Sequence, residues 1–303
     1  MPPILEGIIP PLITPLLDSG GIDEHGLARL VERVVGGGPR FLFLLGTTGE
    51  APSLAMGTKL LLPRLVSGLA GQRARILVNV TSTSVEETFA LADCAAQAGA
   101  IALVLAPPFY FSLTEDELTG YFERVIPKLP LPVYLYNYPL VFKSQVGLAM
   151  LGRLRGLPGL LGLKDSSGDL EYFAAARRQF PKGSGFGLYC GPEELLAEAL
   201  ALGADGGVSG GANLFPSLYV GLYQAFLRGD AATVAILRES ILEVSRSLYG
   251  VAGGYAGSIR GIKCGLEALG VCRATTAEPL GPMPVELSER IAQSAKHLDA
   301  KLK

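Results

Sequence analysis

Histidine and cysteine are scarce in this chain, and the scarcity narrows its chemistry. Only two histidines occur, His25 and His297, both in stretches of helical spacing and far from any cysteine. Histidine and cysteine are the usual zinc ligands, so no metal site is expected. The four cysteines, Cys94, Cys190, Cys264 and Cys272, are scattered without a Cys-x-x-Cys pair. They read as reduced, mostly buried thiols of a cytoplasmic protein rather than as a disulfide frame. An excess of basic charge is also missing: the formal net charge is −2. Nucleic acid is therefore not an expected partner. No apolar run reaches the roughly 18 residues needed to span a membrane, and the run Ala100–Ala106 stops at Pro107-Pro108. The opening residues, Met-Pro-Pro-Ile-Leu-Glu, lack the basic start and apolar core of a signal peptide. No glycine-rich dinucleotide fingerprint follows the first strand candidate, Gly7–Thr14, and no cofactor is expected. What remains is a cytoplasmic protein whose partner is a small molecule.

The chain has 303 residues, of which 49% are hydrophobic and 18% charged, enough to bury a large core. Short β-type runs alternate with helical patterns. Strand candidates are Gly7–Thr14, weakened by Pro10-Pro11, then Phe41–Leu45, Ile76–Val80, Ala102–Ala106, Val133–Tyr136, the run from Leu160 to Leu163, Gly187–Cys190 and Gly206–Ser209. Between them lie helix candidates, among them Asp23–Val35, Met56–Ala70, Ser84–Gly99 and Thr114–Lys128. Asp23 reads as an N-cap, and Ser84/Glu87 and Thr114/Glu117 as capping boxes. Eight strands alternating with helices over about 220 residues is the arithmetic of a (β/α)8 TIM barrel, an α/β fold. Beyond Ser217 the pattern is helical only: 218–228, 231–249, 258–268 and 285–301. The expected organisation is a barrel over residues 1–217 with a C-terminal helical region, 218–303, packed on it.

One stretch stands out, Gly159-Leu-Leu-Gly-Leu-Lys-Asp-Ser-Ser-Gly-Asp169. Its apolar run is too short for a helix and reads as a buried strand that ends on Lys164. Desolvation lowers an amine's pKa toward neutral, and a neutral amine can form a Schiff base with a carbonyl substrate. The plainer reading is a surface lysine snorkelling from a strand end. In a barrel of this type the chemistry sits at the C-terminal ends of the strands. Those ends supply Thr47 and Thr48, Tyr110, Tyr136 and Lys164. Tyr136 offers a hydroxyl that donates and accepts. The Gly46-Thr-Thr-Gly49 turn can aim backbone N–H groups and two hydroxyls at a carboxylate. Each has a plainer alternative: Tyr136 and Tyr138 as aromatic packing, Tyr110 as a loop cap, and Asp165 and Asp169 as caps of the next helix. The turn Gly206–Asn213 reads also as a phosphate loop, against which stands the lack of a P-loop lysine.

Three stretches, Gly46-Thr-Thr-Gly-Glu50, Tyr136-Asn-Tyr-Pro139 and Gly162-Leu-Lys-Asp-Ser-Ser-Gly-Asp169, resemble in order the signatures of the dihydrodipicolinate synthase/N-acetylneuraminate lyase family. The resemblance implies class I lyases on a (β/α)8 barrel, usually homotetramers. It implies that Lys164 forms the Schiff base with a 2-oxo acid such as pyruvate and that Tyr136 relays protons. It places Gly46, Thr47 and Thr48 at the substrate carboxylate, with Thr48 also passing protons. Tyr110 would complete the relay across a subunit interface, and Val208 would offer backbone groups near the carboxylate. The chain departs from the synthase pattern at Val141, where synthases carry an arginine for the second substrate's carboxylate; Lys143 lies two residues further on. The expected reaction is therefore cleavage or dehydration of a 2-keto-3-deoxy sugar acid. Condensation of pyruvate with aspartate semialdehyde is the alternative, and a non-catalytic 2-oxo acid binding protein is a third.

Overall fold

The computed structural model describes residues 4–302. Its order is β1 (Gly7–Ile8), α1 (Glu24–Gly36), β2 (Phe41–Leu44), α2 (Met56–Ala70), β3 (Arg75–Asn79), α3 (Val85–Gln97), β4 (Ala102–Leu105) and α4 (Glu115–Val125). There follow β5 (Val133–Asn137), a short α5 (Pro139–Phe142), α6 (Leu148–Arg153), β6 (Leu160–Asp165), α7 (Leu170–Gln179), β7 (Gly187–Cys190), α8 (Leu196–Ala201) and β8 (Gly206–Gly207). The chain continues with α9 (Pro216–Leu227), α10 (Ala231–Val244), α11 (Gly254–Ala268) and α12 (Val285–Lys301). All eight strands are parallel, in the order β1-β8-β7-β6-β5-β4-β3-β2. This is the expected (β/α)8 barrel.

The ring closes just beyond β1. Phe43 N–H donates to the Pro10 carbonyl and Leu12 N–H donates to the Phe43 carbonyl, both at 2.9 Å. The sequence reading made Gly7–Thr14 one strand, but only its first two residues form a ladder. The reason is Pro10-Pro11, which has no N–H to give. The segment still completes the barrel, because its neighbour needs only the Pro10 carbonyl and the Leu12 amide.

Parallel strands covered on both faces sort their side chains into two layers. One set fills the barrel: Ile9, Phe43, Leu77, Val104, Tyr134, Tyr136, Tyr189 and Val208. The other lies between strands and helices and includes Leu30, Val34, Leu42, Val78, Leu103 and Leu163. That second layer runs without a break into the last helices through Leu248, Leu266, Ile291 and Leu298.

Local signals mostly act as read. Asp23 caps α1 through the Gly26 amide, and Thr114 and Glu117 form a complete capping box at α4. At α3 only half the box forms. Ser84 accepts from the Glu87 amide, but the Glu87 carboxylate takes the Ser82 hydroxyl at 2.6 Å instead. Two other readings needed correction. The sequence pattern from Glu193 to Leu202 suggests one helix, but it opens with a 3-10 turn (Glu193–Leu195), and α11 starts at Gly254 rather than Ser258. Both histidines are exposed, and among the described residues no cluster of His, Cys, Asp or Glu is arranged for a metal. No helix among them is long and apolar enough to cross a membrane.

Candidate active site

Lys164 reaches the barrel interior because β6 carries one extra residue. Val133 pairs with Leu160, but Tyr134 pairs with Gly162, so Leu161 is left over. A bulge of this kind changes which face the following side chains take. Leu161 packs with the interior layer; in an unbroken strand Leu163 would share that face and Lys164 would not. With the bulge, Leu163 joins the outer layer and Lys164 turns inward, paired across the sheet with Tyr136 on one side and Tyr189 on the other. Gly162 makes this possible. A Cβ there would come within 2.3 Å of the Gly187 carbonyl and 2.7 Å of the Tyr134 ring. Gly162→Ala is therefore expected to cost about 1–3 kcal/mol by overpacking, and to lower turnover by shifting β6. Thermal denaturation and a rate measurement check this; an unchanged Tm would remove the close-approach argument.

Lys164 is only 7% exposed. Its Nζ lies 3.8 Å from the centroid of the Tyr136 ring and 5.2 Å from that of Phe43. Burial pulls the amine down from 10.5 to about 7, with Cys190 and Asp165 pulling the other way. The snorkelling alternative fails, since the ammonium end is inside the barrel. Directly behind this pair, on the opposite faces of β5 and β6, Asn137 and Asp165 lock the strands. Asn137 Nδ2 donates to Asp165 Oδ1 at 2.7 Å, Asn137 Oδ1 accepts from the Val146 amide, and Asp165 also receives the Ser167 amide and hydroxyl. Of the two aspartates read as helix caps, Asp169 does cap α7, whereas Asp165 clamps strand ends.

The Gly46–Gly49 turn is bracketed by two residues in the left-handed region, Leu45 at φ 56° and Glu50 at φ 59°. Such residues cost on the order of 1–3 kcal/mol each and persist where surroundings hold them. The holds are visible. Asn79 Nδ2 donates to the Leu45 carbonyl and Thr14 Oγ1 to the Gly49 carbonyl, both at 2.8 Å. Glu50 forms a fully buried ion pair with Lys263 of α11 at 2.5 Å, and its second oxygen accepts from the Ala277 amide at 2.7 Å. The two threonines then face different partners. Thr47 Oγ1 lies 3.3 Å from the Tyr136 hydroxyl, and Thr48 Oγ1 lies 3.1 Å from the Tyr255 hydroxyl. Of the two, Thr47 is the one whose hydroxyl meets that of Tyr136. Burial pushes the Tyr136 phenol up to about 12, with Thr47 and Ser166 opposing, so it is protonated at neutral pH.

Lys164, Thr48 and Val208 open on one cavity of about 230 Å³, shared with Tyr138, Ser166, Glu193, Glu194, Tyr249, Tyr255 and Ser258. Gly46, Thr47 and Tyr136 are not among the residues that line it, although Tyr136 touches Lys164 and Thr47 touches Tyr136. Tyr110 is not brought to it within this chain: it is 77% exposed, its ring edge-on to the 73% exposed Phe111. Several lining residues were not legible as such. Glu193 is buried beneath the turn after β8, accepting from the Gly211 amide at 2.8 Å and from the hydroxyls of Tyr219 and Tyr249. Burial, then its neighbour Glu194, pushes its carboxyl up to about 8. Asn213 ties the same turn to the segment after β1 through the Ile13 amide and the Pro11 carbonyl, so that turn is anchored by protein groups. Among the lining residues Lys164 is the sole cation.

Comparison with known proteins gives this arrangement its context. The sequence model of the dihydrodipicolinate synthetase family matches residues 4–298. The dihydrodipicolinate synthase structure from Bacteroides thetaiotaomicron superposes with a TM-score of 0.93 at 40% identity, covering 97% of this chain and 99% of that one. The Escherichia coli protein YagE, provisionally described as a 2-dehydro-3-deoxy-D-gluconate aldolase, is 30% identical over 244 residues, 80% of each protein. Its structure, solved in complex with pyruvate, superposes with a TM-score of 0.90 at 27% identity over 98% of this chain and 99% of its own. A buried amine at the C-terminal end of a barrel strand, hydroxyls around it and a family match over almost the whole length converge: the chain belongs to the dihydrodipicolinate synthetase family and is a lyase of the class I aldolase type.

Proposed function

We propose that Lys164 forms a Schiff base with a 2-oxo acid of the pyruvate type and that the enzyme cleaves or dehydrates a 2-keto-3-deoxy sugar acid. The observation that carries the choice of substrate is the lining of the cavity. A second substrate carboxylate is best held by a guanidinium fork, and no arginine lines the cavity. Val141 packs with the interior aromatic layer, and Lys143 is exposed at the end of α5. The Glu194 carboxylate on that wall would oppose another carboxylate and suits hydroxyls instead, as do Ser166, Ser258 and Tyr138.

In this reading the neutral Lys164 amine attacks the C2 carbonyl, water leaves, and an imine forms. For retro-aldol cleavage the C4 hydroxyl loses its proton as the C3–C4 bond breaks, and the electron pair moves toward the imine nitrogen to give an enamine. Protonation at C3 and hydrolysis then release pyruvate and restore the amine. In this reading Tyr136, with Thr47 3.3 Å from its hydroxyl, carries the proton, and Thr48, Gly46 and Val208 hold the substrate carboxylate. The test is a side-by-side kcat/KM for 2-keto-3-deoxy sugar acids, read as pyruvate release, and for pyruvate plus aspartate semialdehyde. The sugar acids are expected to win; a tenfold advantage for the condensation would overturn the choice. The 40% identity to the Bacteroides synthase structure favours that second outcome and makes it the alternative.

The depressed amine gives a pH prediction. Below pH 7 Lys164 is largely protonated and not nucleophilic; above it the free amine dominates. Imine formation with pyruvate, trapped by borohydride, should therefore rise through a midpoint near 7 and level off. A midpoint near an ordinary lysine's value would contradict the role of burial. We also propose that the exposed Tyr110–Phe111 pair meets a second copy, where Tyr110 would lie near the neighbour's site. Sedimentation at micromolar concentration should show an oligomer; a monodisperse monomer would reject this.

A further inference from the structure

Tyr255 reaches the site from the far end of the chain, and its hydroxyl has a geometric task there. It lies in the first turn of α11, after a π-helical turn at Ser245–Tyr249 and two glycines with positive φ, Gly253 and Gly254. π-turns and such glycines re-aim a helix, and here they bring one tyrosine on each side of the break to the cavity wall, Tyr249 and Tyr255. The Tyr255 ring packs edge-on to Tyr138 at 5.5 Å, and Tyr138 stacks against Tyr136 at 6.1 Å. The three rings make a continuous wall from beneath Lys164 to the Thr48 hydroxyl, where Tyr255 ends at 3.1 Å.

A phenol is the stronger acid and so the better donor of the two hydroxyls in that contact. If Tyr255 O–H donates to Thr48 Oγ1, the single Thr48 proton must point elsewhere. Thr48 lines the cavity, so its proton is then free to turn toward the position proposed for the substrate carboxylate. We propose that Tyr255 is a positioning residue: it occupies a lone pair of Thr48 and thereby fixes the Thr48 proton toward the carboxylate of the bound 2-oxo acid. This rests on the Schiff-base reading above. It makes the C-terminal helices part of the binding site rather than only its support.

The test uses borohydride trapping of pyruvate on Lys164, titrated with pyruvate, in wild type, Tyr255→Phe, Thr48→Val and the double variant. Phenylalanine keeps the ring and its contact with Tyr138. Losing the orientation of one hydrogen bond should raise the half-saturating pyruvate concentration roughly 3–10-fold in Tyr255→Phe. The trapping rate at saturating pyruvate should stay within about twofold of wild type. In the Thr48→Val background the Tyr255→Phe effect should vanish, because the hydroxyl it orients is gone. A purely structural role would lower Tm and weaken binding equally in both backgrounds, and that result would overturn the inference. So would wild-type half-saturation in Tyr255→Phe. A wild-type protein that forms no adduct at all would overturn the Schiff-base reading first and this inference with it.

Discussion

Lys164→Met should abolish turnover and yet make the protein more stable at neutral pH. The activity half of this expectation is the loss of the nucleophile. Removing such a group typically costs about 10⁴-fold or more in kcat. The stability half follows from burial. The folded state holds the amine near 7 instead of 10.5, so below pH 7 both folded and unfolded chains carry the proton and the full desolvation cost applies. That cost is on the order of 5 kcal/mol. Between pH 7 and 10.5 the unfolded chain still binds a proton that the folded chain has released. The wild type therefore gains stability relative to its unfolded state as pH rises through that window. Methionine has nearly the same length and no charge, so Lys164→Met removes the penalty. Its Tm should exceed that of the wild type at pH 6–7, and the difference should shrink as pH approaches 10.5. Comparative melts at several pH values measure this. Retained turnover would remove Lys164 from the chemistry; a lower Tm at every pH would remove the argument from desolvation.

Lys263→Met should do the opposite and destabilise the fold strongly. Its ammonium is fully buried, paired with Glu50 at 2.5 Å and donating to the Thr275 carbonyl at 2.6 Å. Burial pulls Lys263 down, but Glu50 pulls it up. Removing one member of a buried pair leaves the other charge uncompensated, a loss of about 3–5 kcal/mol. Glu50 also sits in the left-handed region at the end of the turn that presents Thr47 and Thr48. Half-saturation by pyruvate should therefore rise along with the fall in Tm. Glu50→Gln combined with Lys263→Met removes both charges and should recover much of the stability. Near-wild-type stability in the single Lys263→Met variant would mean that Glu50 finds water or another partner, and the pair would lose its importance.

These two lysines also show what the sequence made legible. Lys164 stood out because a short apolar strand ended on it, and the alternation of strands and helices placed that strand in a barrel. Local rules carried that far. The bulge at Leu161, which aims Lys164 inward, is a matter of pairing with β5 and leaves no local mark. Glu50 was visible within its motif, but its partner was not: Lys263 lies in a helix whose pattern says only that one face is buried. Tyr255 was lost for a related reason. The helical pattern reads from Ser258, which leaves Tyr255 outside it, whereas α11 begins at Gly254 despite the poor helix propensity of its glycines. Thr47 and Thr48 were both found, but which of them meets Tyr136 depends on the left-handed turn around them. Contacts between residues close in sequence were readable; those set by the closing of the ring and the return of the last helices were not.

The contacts that bind the Gly46–Gly49 turn to the end of the chain have a consequence for assembly during synthesis. The Thr48–Tyr255 hydrogen bond joins residues 207 apart, and the bond from the Ala277 amide to Glu50 joins residues 227 apart. Closing such long loops is slow relative to forming local structure. A nascent chain that has emerged as far as β8 has every barrel strand and Lys164. It still has a carboxylate at Glu50 that only later residues can neutralise, and a threonine hydroxyl not yet oriented. The reactive amine and the turn that would hold its substrate thus come into register only when α11 and the segment after it have left the ribosome and docked.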